Sequence, residues 1–412
     1  MNVLIVAIDE KRWGPARLPK FLQAKGFRVA SLCSQANPLA STKYVERRFD
    51  FPKARSSHGM AAALHAAMHK WQPQLVIPAD EIVVALLQHL MAGDLRGWHP
   101  TTVDTLQFSL GDIQRRDAML FKNRTQELAR EIGVRVPEGS RVRSLDEAVA
   151  VGDQIGYPLL VKKSFSWGGD GVKLIRNRDQ LVGAYAQMAP VEVPAAKAFL
   201  RKLMGRDWFP APRHLWLQGQ IVGDPAMYSF VATAGRLHAG FAGFPRSTST
   251  VTGPSTVVEC GPHAGMAEAS CRMAAAVGAT GFVSFDFMIE RGSGKAFLLE
   301  CNPRPNQVSH LGERIGVDLC AALLAGLRAG MGAATRPAAE PRSSEKVALF
   351  PQEWLRASDS PVLQECYHDV PWDDERLLLR LASEAKTAHP LVHRARERGD
   401  AYNLVRLAKR SL

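Results

Sequence analysis

The chain has 412 residues, of which 46% are hydrophobic and 22% charged. This length allows two or three domains, each with its own core, and the composition excludes a low-complexity or fibrous protein. Lysine and arginine number 52 against 40 aspartate and glutamate residues, a net charge of +12. That excess allows anionic partners, but no zinc-finger spacing or patch of basic and aromatic residues is present, so we do not expect specific nucleic-acid binding.

The sequence carries no membrane or secretion signal that we can identify. Its start, MNVLIVAIDEK, lacks a basic leader and a small-residue cleavage site, so we interpret it as a first strand. No uncharged apolar run reaches the length of a membrane span. The six cysteines form no C-x-x-C pair, which argues against a disulfide framework or a zinc site and fits a reducing compartment. We therefore expect a cytoplasmic protein.

Residues 1–112 alternate between strand and helix patterns. Strands are predicted at 3–7, 28–32 and 75–78, and helices at 15–25, 58–71 and 82–91. This βαβ order predicts a Rossmann-like α/β domain, with a parallel sheet covered on both faces. The first strand is followed by DEKRWG and not by G-x-G-x-x-G, so we do not expect a dinucleotide site.

Residues 113–330 mix strands and helices in an α+β pattern. A helix is predicted over 117–132, ended by Gly133 and Pro137. Strands dominate from 157 to 302, and further helices are predicted near 145–155, 178–188, 196–204, 267–277 and 318–329. Residues 331–345 are rich in Ala, Gly, Pro and Ser, which predicts a linker. Residues 346–412 are predicted to form a small helical C-terminal appendage.

An acidic hairpin is the most informative stretch. Strand patterns at 283–290 and 296–302 flank the turn sequence RGSGK. A hairpin symmetric about Ser293 would place Asp286 directly opposite Glu300. Because like charges in that position are destabilising, this pair needs a cation.

Asn302 extends this acidic pair to three oxygen ligands. It lies two residues beyond Glu300, so the pleat places it on the same face. Three hard oxygens suit magnesium, with manganese as a substitute, together with the phosphates of a nucleotide. The alternative is an ordinary solvated sheet face.

A glycine-rich loop follows the strand YPLLVKK. Gly168, Gly169 and Gly171 have no β-carbon, so several backbone N–H groups could approach an anion there. Lys162 on the preceding strand could neutralise nucleotide phosphates. The loop lacks the G-K-[ST] of a P-loop, and the alternative is an ordinary hairpin tip.

Taken together and in this order, these motifs resemble the ATP-grasp superfamily over roughly residues 1–330. The family has an opening lysine followed by glycine and proline, a Y-P-x-x-x-K strand with a glycine flap, a metal-binding strand and an E-x-N-P-R signature. The matching positions are Lys122, Gly133 and Pro137, then Tyr157, Pro158 and Lys162 with the flap at 164–171, then Asp286, and then Glu300, Asn302, Pro303 and Arg304.

The resemblance implies a Rossmann-like pre-ATP-grasp domain at 1–112 and a two-subdomain ATP-grasp fold at 113–330 that holds ATP between its sheets. It implies magnesium at Asp286, Glu300 and Asn302, and stabilisation of an acyl phosphate or a substrate carboxylate by Arg304. Nucleotide contacts are implied for Lys122, Lys162, Ser164, Gly168, Gly169, Gly171, Gln218 and Asp224.

Two positions depart from the family pattern. An acid often follows the glutamine, whereas Gly219 follows Gln218 here. The acid that usually binds the ribose would fall near Pro225, one step from Asp224.

The resemblance implies a ligase that uses ATP and magnesium to convert a small carboxylate into an acyl phosphate, which an amine then attacks with release of phosphate. We predict that Arg246 binds the carboxylate or the phosphoryl group, with a plain surface role as an equal alternative. For His310 there are two alternatives: it acts as a base for the incoming amine, or it is a structural histidine with its hydrogen bonds satisfied. A bicarbonate-using carboxylase, a non-catalytic nucleotide-binding protein and nucleic-acid binding through the basic C-terminal segment stay open, and a homodimer is compatible with the sequence.

Overall fold

The computed structural model describes residues 1–52, 56–93, 95, 97–165, 171–190, 193–210, 214–250, 253–330, 339–357 and 360–384. Three sheets organise these residues. Among the described helices, none combines the length and apolar character needed to cross a bilayer.

The first sheet confirms the predicted parallel arrangement. Its strands are β1 (Asn2–Val6), β2 (Arg28–Cys33), β3 (Arg47–Asp50) and β4 (Leu75–Pro78), and the accompanying helices are α1 (Leu18–Ala24), α2 (Ser57–Trp71), α3 (Glu81–Ala92) and α4 (Pro100–Leu110). The order is β3-β2-β1-β4, and every pair is parallel. In chain order, β2 and β3 are added on one side of β1, and β4 is then added on its other side. The carboxyl ends of β1 and β4 therefore flank a topological switch point, where open α/β sheets bind ligands.

The helix predicted over 117–132 is wrong as a single element, because it is broken at Phe121. The two pieces are α5 (Arg116–Leu120) and α6 (Lys122–Glu131). Phe121 has extended backbone angles, φ −104° and ψ 123°. The break frees the backbone N–H of Lys122, which donates to the carbonyl of Ser164 at 3.2 Å.

The second sheet is antiparallel. Its strands are β5 (Gly139–Val142), β6 (Leu159–Lys163), β7 (Val172–Ile175) and β8 (Leu215–Gly219), in the order β5-β8-β6-β7, and the helices in this region are α7 (Leu145–Ile155), α8 (Arg178–Met188) and α9 (Ala195–Leu203). Leu159, Val161 and Leu217 pack under α7 and α8. By alternation, Lys162 and Gln218 lie on the other face of the sheet.

The third sheet has seven strands in the order β13-β12-β9-β10-β11-β14-β15. The strands are β9 (Gly223–Thr233), β10 (Arg236–Thr248), β11 (Ser255–Gly261), β12 (Gly281–Glu290), β13 (Ala296–Asn302), β14 (Glu345–Leu349) and β15 (Tyr367–Asp369), and the helices are α10 (Ala264–Val277), α11 (Leu319–Ala329), α12 (Gln352–Arg356), α13 (Val362–Glu365) and α14 (Glu375–Glu384). One face packs on α10, and the other shares its core with α11 and the first sheet.

The predicted helical appendage at 346–412 needs correction. β14 pairs antiparallel with β11, and β15 pairs parallel with β14, so this part of the chain extends the large sheet. Glu345, expected as the last linker residue, is the first residue of β14. Residues 331–338 of the predicted linker and the basic segment 385–412 lie outside the described residues.

A buried ion pair fastens β15 to the N-terminal domain. Asp369 Oδ1 lies 2.7 Å from Nη2 of Arg17, and Asp369 Oδ2 lies 2.9 Å from Nε2 of His310. Burial acts to raise the pKa of Asp369, but Arg17 and His310 outweigh it and hold that pKa well below its usual range. His310 is also buried against Phe21, with ring centroids 4.9 Å apart, which supports the structural alternative for this histidine.

Replacing Asp369 should destabilise the fold in a pH-dependent way. Because one partner of a buried pair would be lost, we expect Asp369→Asn to lower the free energy of unfolding by about 3–5 kcal/mol at neutral pH. The folded-state pKa of Asp369 is depressed, so wild type has this stabilisation above the unfolded-state pKa and loses it as the pH falls below about 4. Denaturant unfolding at several pH values measures the difference between the two proteins.

The exposed pair Asp224–Arg291 supplies the control, because Asp224→Asn should change stability by about 1 kcal/mol or less. The ion pair of Asp369 would not have the proposed role if Asp369→Asn lowered the free energy of unfolding only slightly at neutral pH. The same would follow if the difference between the two proteins did not shrink under acid conditions.

Candidate active site

The acidic hairpin has the predicted pairing at its functional end. Asp286 pairs directly with Glu300, and Ser284 pairs with Asn302. Nearer the turn the register differs by one residue, since Phe287 pairs with Leu298.

Leu299 is therefore the extra residue of a β-bulge. Leu298 is buried in the core under α10, and strict alternation would point Glu300 to that same side. The bulge turns Glu300 and Asn302 to the opposite face, beside Asp286. Its flanks are held by α6 and the loop after it: Leu298 N–H donates to the carbonyl of Arg135 at 2.9 Å, and the carbonyl of Leu299 accepts from Nε2 of Gln126 at 3.0 Å.

A lysine from α6 reaches the facing carboxylates. Lys122 Nζ lies 2.7 Å from Oε2 of Glu300, with both side chains largely shielded from solvent. Burial acts to raise the pKa of Glu300, but Lys122 outweighs it and lowers that pKa. Burial and the charge of Glu300 raise the pKa of Asp286. One positive charge thus compensates one of the two acids.

The second sheet contributes Lys162 and Gln218 to the same region. Lys162 Nζ donates to Oε1 of Gln218 at 2.8 Å, and Nε2 of Gln126 donates to the same oxygen at 2.8 Å. Burial, reinforced by the charge of Lys122, lowers the pKa of Lys162 to about 8. Because Gln126 also binds the bulge, it ties β8 to β13 directly.

The first sheet reaches the site through Glu81 and Arg12. Arg304 Nη2 lies 2.5 Å from Oε1 of Glu81, and Arg12 Nη2 lies 2.8 Å from Oε2 of the same carboxylate. Arg304 also donates to Oδ1 of Asn302 at 3.1 Å, which places it beside the acidic pair. The two arginines together hold the pKa of Glu81 at about 2, against the opposing effect of burial.

Several predicted site residues lie elsewhere. Arg246 binds Glu259 at 2.8 Å and stacks over Phe244, which lies on the α10 face, away from Asp286 and Glu300. The structure therefore does not bring Arg246 to the cluster. Asp224 is 74% exposed at its side chain and binds Arg291 near the hairpin turn.

The predicted phosphate flap is described only at its ends. Ser164 is buried and accepts from the Lys122 N–H through its carbonyl. Gly171 has φ +77°, which favours glycine, and its carbonyl accepts from the N–H of Lys163. Gly168 and Gly169 lie outside the described residues.

Three residues of the site had no sequence motif behind them: Arg12, Glu81 and Gln126. The order of the parallel sheet offers a signal for two of them, because Arg12 follows β1 and Glu81 follows β4 at the switch point. Gln126 carries no signal beyond its place on the helix that opens with Lys122.

The protein family described as carbamoyl-phosphate synthase L chain, ATP binding domain, matches residues 122–332, more than half of the chain. The chain belongs to this family. It is thus an ATP-grasp protein, as the motifs predicted. Among curated relatives, the carbamoyl phosphate synthase large chain of Gemmatimonas aurantiaca is 27% identical over 251 residues, which are 60% of this chain and 22% of that protein. The chain therefore spans about a fifth of the length of this relative.

Solved structures show the same ATP-grasp fold. A biotin carboxylase from Campylobacter jejuni aligns with a TM-score of 0.61 and 17% identity, covering 84% of this chain and 74% of the other. An L-amino acid ligase from Bacillus licheniformis aligns with a TM-score of 0.55 and 14% identity, covering 84% of this chain and 78% of the other. At these identities the likeness extends to the fold alone.

The donor set of this ATP-grasp site fits a hard divalent cation. Two facing carboxylates and an amide oxygen are the ligand types that magnesium prefers. Burial and the charge of Glu300 raise the pKa of Asp286, and a cation bound between the two carboxylates would act in the opposite direction. Asp286, Glu300 and Asn302 are therefore the residues that would hold the metal.

Nucleotide affinity of this ATP-grasp protein should depend on the protonation of Lys162. With a pKa of about 8, the ammonium group of Lys162, our candidate for binding phosphates, loses its charge as the pH rises through that value. Because the raised pKa of Asp286 would give magnesium binding the opposite pH dependence, we expect the affinity for a magnesium-free, non-hydrolysable ATP analogue to fall above pH 8, by up to about tenfold for each pH unit. Isothermal titration calorimetry between pH 6.5 and 9.5 measures this dependence.

Two variants test the source of that pH dependence. Lys162→Met should bind weakly and with little dependence on pH in this range. Lys163→Met removes the neighbouring lysine of the same strand and should keep the wild-type profile. A wild-type affinity that does not change from pH 7 to pH 9 would contradict the assignment to Lys162.

Proposed function

We propose that this protein is an ADP-forming carboxylate–amine ligase that uses ATP and magnesium. One observation carries the proposal: the facing acids Asp286 and Glu300 lie within reach of a lysine from α6, and Lys162 of the second sheet lies in the same cluster. Two carboxylates for a metal opposite two lysines for phosphates form an arrangement suited to phosphoryl transfer.

The proposed reaction begins with attack of a substrate carboxylate on the γ-phosphoryl group of ATP, which forms an acyl phosphate and releases ADP. An amine then attacks the acyl carbon, and phosphate leaves as the amide forms. A bound magnesium ion would supply charge neutralisation on the phosphoryl oxygens.

The side chains contribute charge and position. Lys122 and Lys162 would balance negative charge on the nucleotide, and Arg304 would stabilise the acyl phosphate. Phosphoryl transfer of this kind needs no side-chain nucleophile, because positioning and electrostatics supply the rate.

A cavity beside the acidic pair favours an organic acid over bicarbonate. It measures about 340 Å³ and extends from Asp286 and Arg304 along the large sheet. That volume is at the lower end of small-molecule pockets, and it includes the space beside Asp286, Glu300 and Asn302 that the metal and phosphates would occupy. Its lining includes three apolar residues that have accessible surface, Met227, Pro245 and Pro254.

The ligase should release ADP and phosphate, and should form hydroxamates when hydroxylamine traps the acyl phosphate. Purified protein with ATP, magnesium and a library of organic acids is the assay, with products separated by chromatography. We expect Glu300→Gln to lower turnover about 100-fold or more, because it removes charge from the cation site. Glu290→Gln, at the turn end of the same hairpin, should leave turnover unchanged.

The alternatives give different results in this assay. AMP and pyrophosphate as products would contradict the proposal. ADP release that requires only bicarbonate would favour the carboxylase. Nucleotide binding without turnover on any acid would favour a non-catalytic protein.

A further inference from the structure

The cavity that adjoins the acidic pair is closed on one side by the switch point of the first sheet. Arg12, in the loop after β1, and Glu81, the first residue of α3, both line it. Crevices at the carboxyl ends of strands beside a switch point are where open α/β sheets bind ligands. The N-terminal domain therefore offers the position at which a substrate of the neighbouring ATP-grasp site would be bound.

The loop that carries Arg12 is fixed in place. Asp80 caps α3, with Oδ1 accepting from the N–H of Val83, and its Oδ2 accepts from the N–H groups of Ile8 and Asp9 at 2.8 and 2.9 Å. Farther along, a β-carbon on Gly14 would lie only 2.9 Å from Cα of Gln307, so glycine permits close contact with the loop after Arg304. Arg12 is thus held between β1 and the ATP-grasp domain.

Two guanidinium groups share one carboxylate at this point. Arg12 and Arg304 bind the two oxygens of Glu81, so Glu81 holds them close together and offsets part of their repulsion. Asp9 also lies near Arg12, with its Oδ2 at 3.5 Å from Nε.

Both arginines keep unused donors. The Nε atom of Arg304 is buried and has no hydrogen-bond partner, and the whole residue is only 8% exposed. Within the described residues, Nη1 of Arg12 donates no hydrogen bond, and this side chain is 24% exposed. Nε of Arg304 has no surface that a ligand could reach, so the unused donor on a partly exposed side chain is Nη1 of Arg12, a residue that lines the cavity beside Arg304.

We propose that Arg12 joins Arg304 in binding the anionic group of an organic acid, with Glu81 as the positioning residue. The planar forks of two arginines suit a carboxylate. The remainder of the substrate lies along the apolar wall formed by Met227, Pro245 and Pro254, so the acid carries a hydrophobic body. This inference rests on the proposed ligase function, whose carboxylate substrate it places and classifies.

The test measures binding of 3-phenylpropionate to the full chain, saturated with magnesium and a non-hydrolysable ATP analogue, by isothermal titration calorimetry. Acetate tests the apolar wall, and the uncharged 3-phenylpropanol tests the arginines. We expect wild type to bind 3-phenylpropionate more tightly than either. Arg12→Met should weaken that binding by about tenfold or more, through loss of a charged hydrogen bond, and leave the alcohol unchanged.

Two further variants complete the design. Arg12→Lys keeps the charge without the fork and should fall between wild type and Arg12→Met. Arg28→Met, which breaks an exposed ion pair with Glu46 in the same domain, should bind like wild type. Circular dichroism confirms that each variant is folded.

Affinity for the nucleotide analogue, measured in the same proteins, separates the two proposals. Failure of wild type to bind the analogue with magnesium would contradict the ligase function. If Arg12→Met bound both the nucleotide analogue and 3-phenylpropionate as tightly as wild type, the proposed role of Arg12 would be wrong, and the ligase function would be unaffected. Normal nucleotide binding with equal affinity for acetate, or with no affinity for 3-phenylpropionate, would overturn the hydrophobic acid as substrate.

Discussion

Two carboxylates that face each other across a hairpin impose the main electrostatic constraint on this protein. Asp286 and Glu300 repel each other, and the surroundings shield them from solvent. Lys122 balances one charge, which leaves a site that a divalent cation would complete. Much of the surrounding structure brings positive groups to this pair from separate parts of the chain.

Each sheet reaches the pair through a local irregularity or an element end. The break at Phe121 begins α6 with Lys122 beside the end of β6, where its N–H meets Ser164. The bulge at Leu299 turns Glu300 out of the α10 core. The switch point of the first sheet presents Glu81, which binds Arg304. The interior of each sheet contributes packing, whereas these residues of the site lie where a helix or strand begins, ends or is interrupted.

The sequence predicted the acidic pair because charge repulsion and strand alternation are local rules. The hairpin was expected to be symmetric about Ser293, and this yields the correct partner for Asp286. Near the turn the true register is one residue different, with Ile289 opposite Ala296, and the bulge restores the expected pairing. No residue type marks Leu299 as a bulge; hydrogen bonds to Gln126 and Arg135 accompany it, and these come from another part of the chain.

Other features could not be predicted, because they depend on contacts distant in sequence. β14 and β15 were expected as part of a helical appendage, yet β14 pairs with the edge of β11, and β15 pairs with β14. Arg246 has the right side chain for a carboxylate, but a register shift between Pro245 and Ser247 and the pair with Glu259 place it on the other face. The position of Arg12 beside the site follows from the strand order of the first sheet, which the sequence does not give.

The most direct test of the account is the location of a manganese ion in crystals grown with manganese and a non-hydrolysable ATP analogue. Manganese is visible by anomalous scattering and takes the same oxygen ligands as magnesium. We expect an anomalous peak at coordination distance from oxygens of Asp286, Glu300 and Asn302 and from the nucleotide phosphates. A bound nucleotide whose manganese lies away from both carboxylates would contradict the assignment of these residues as the metal site.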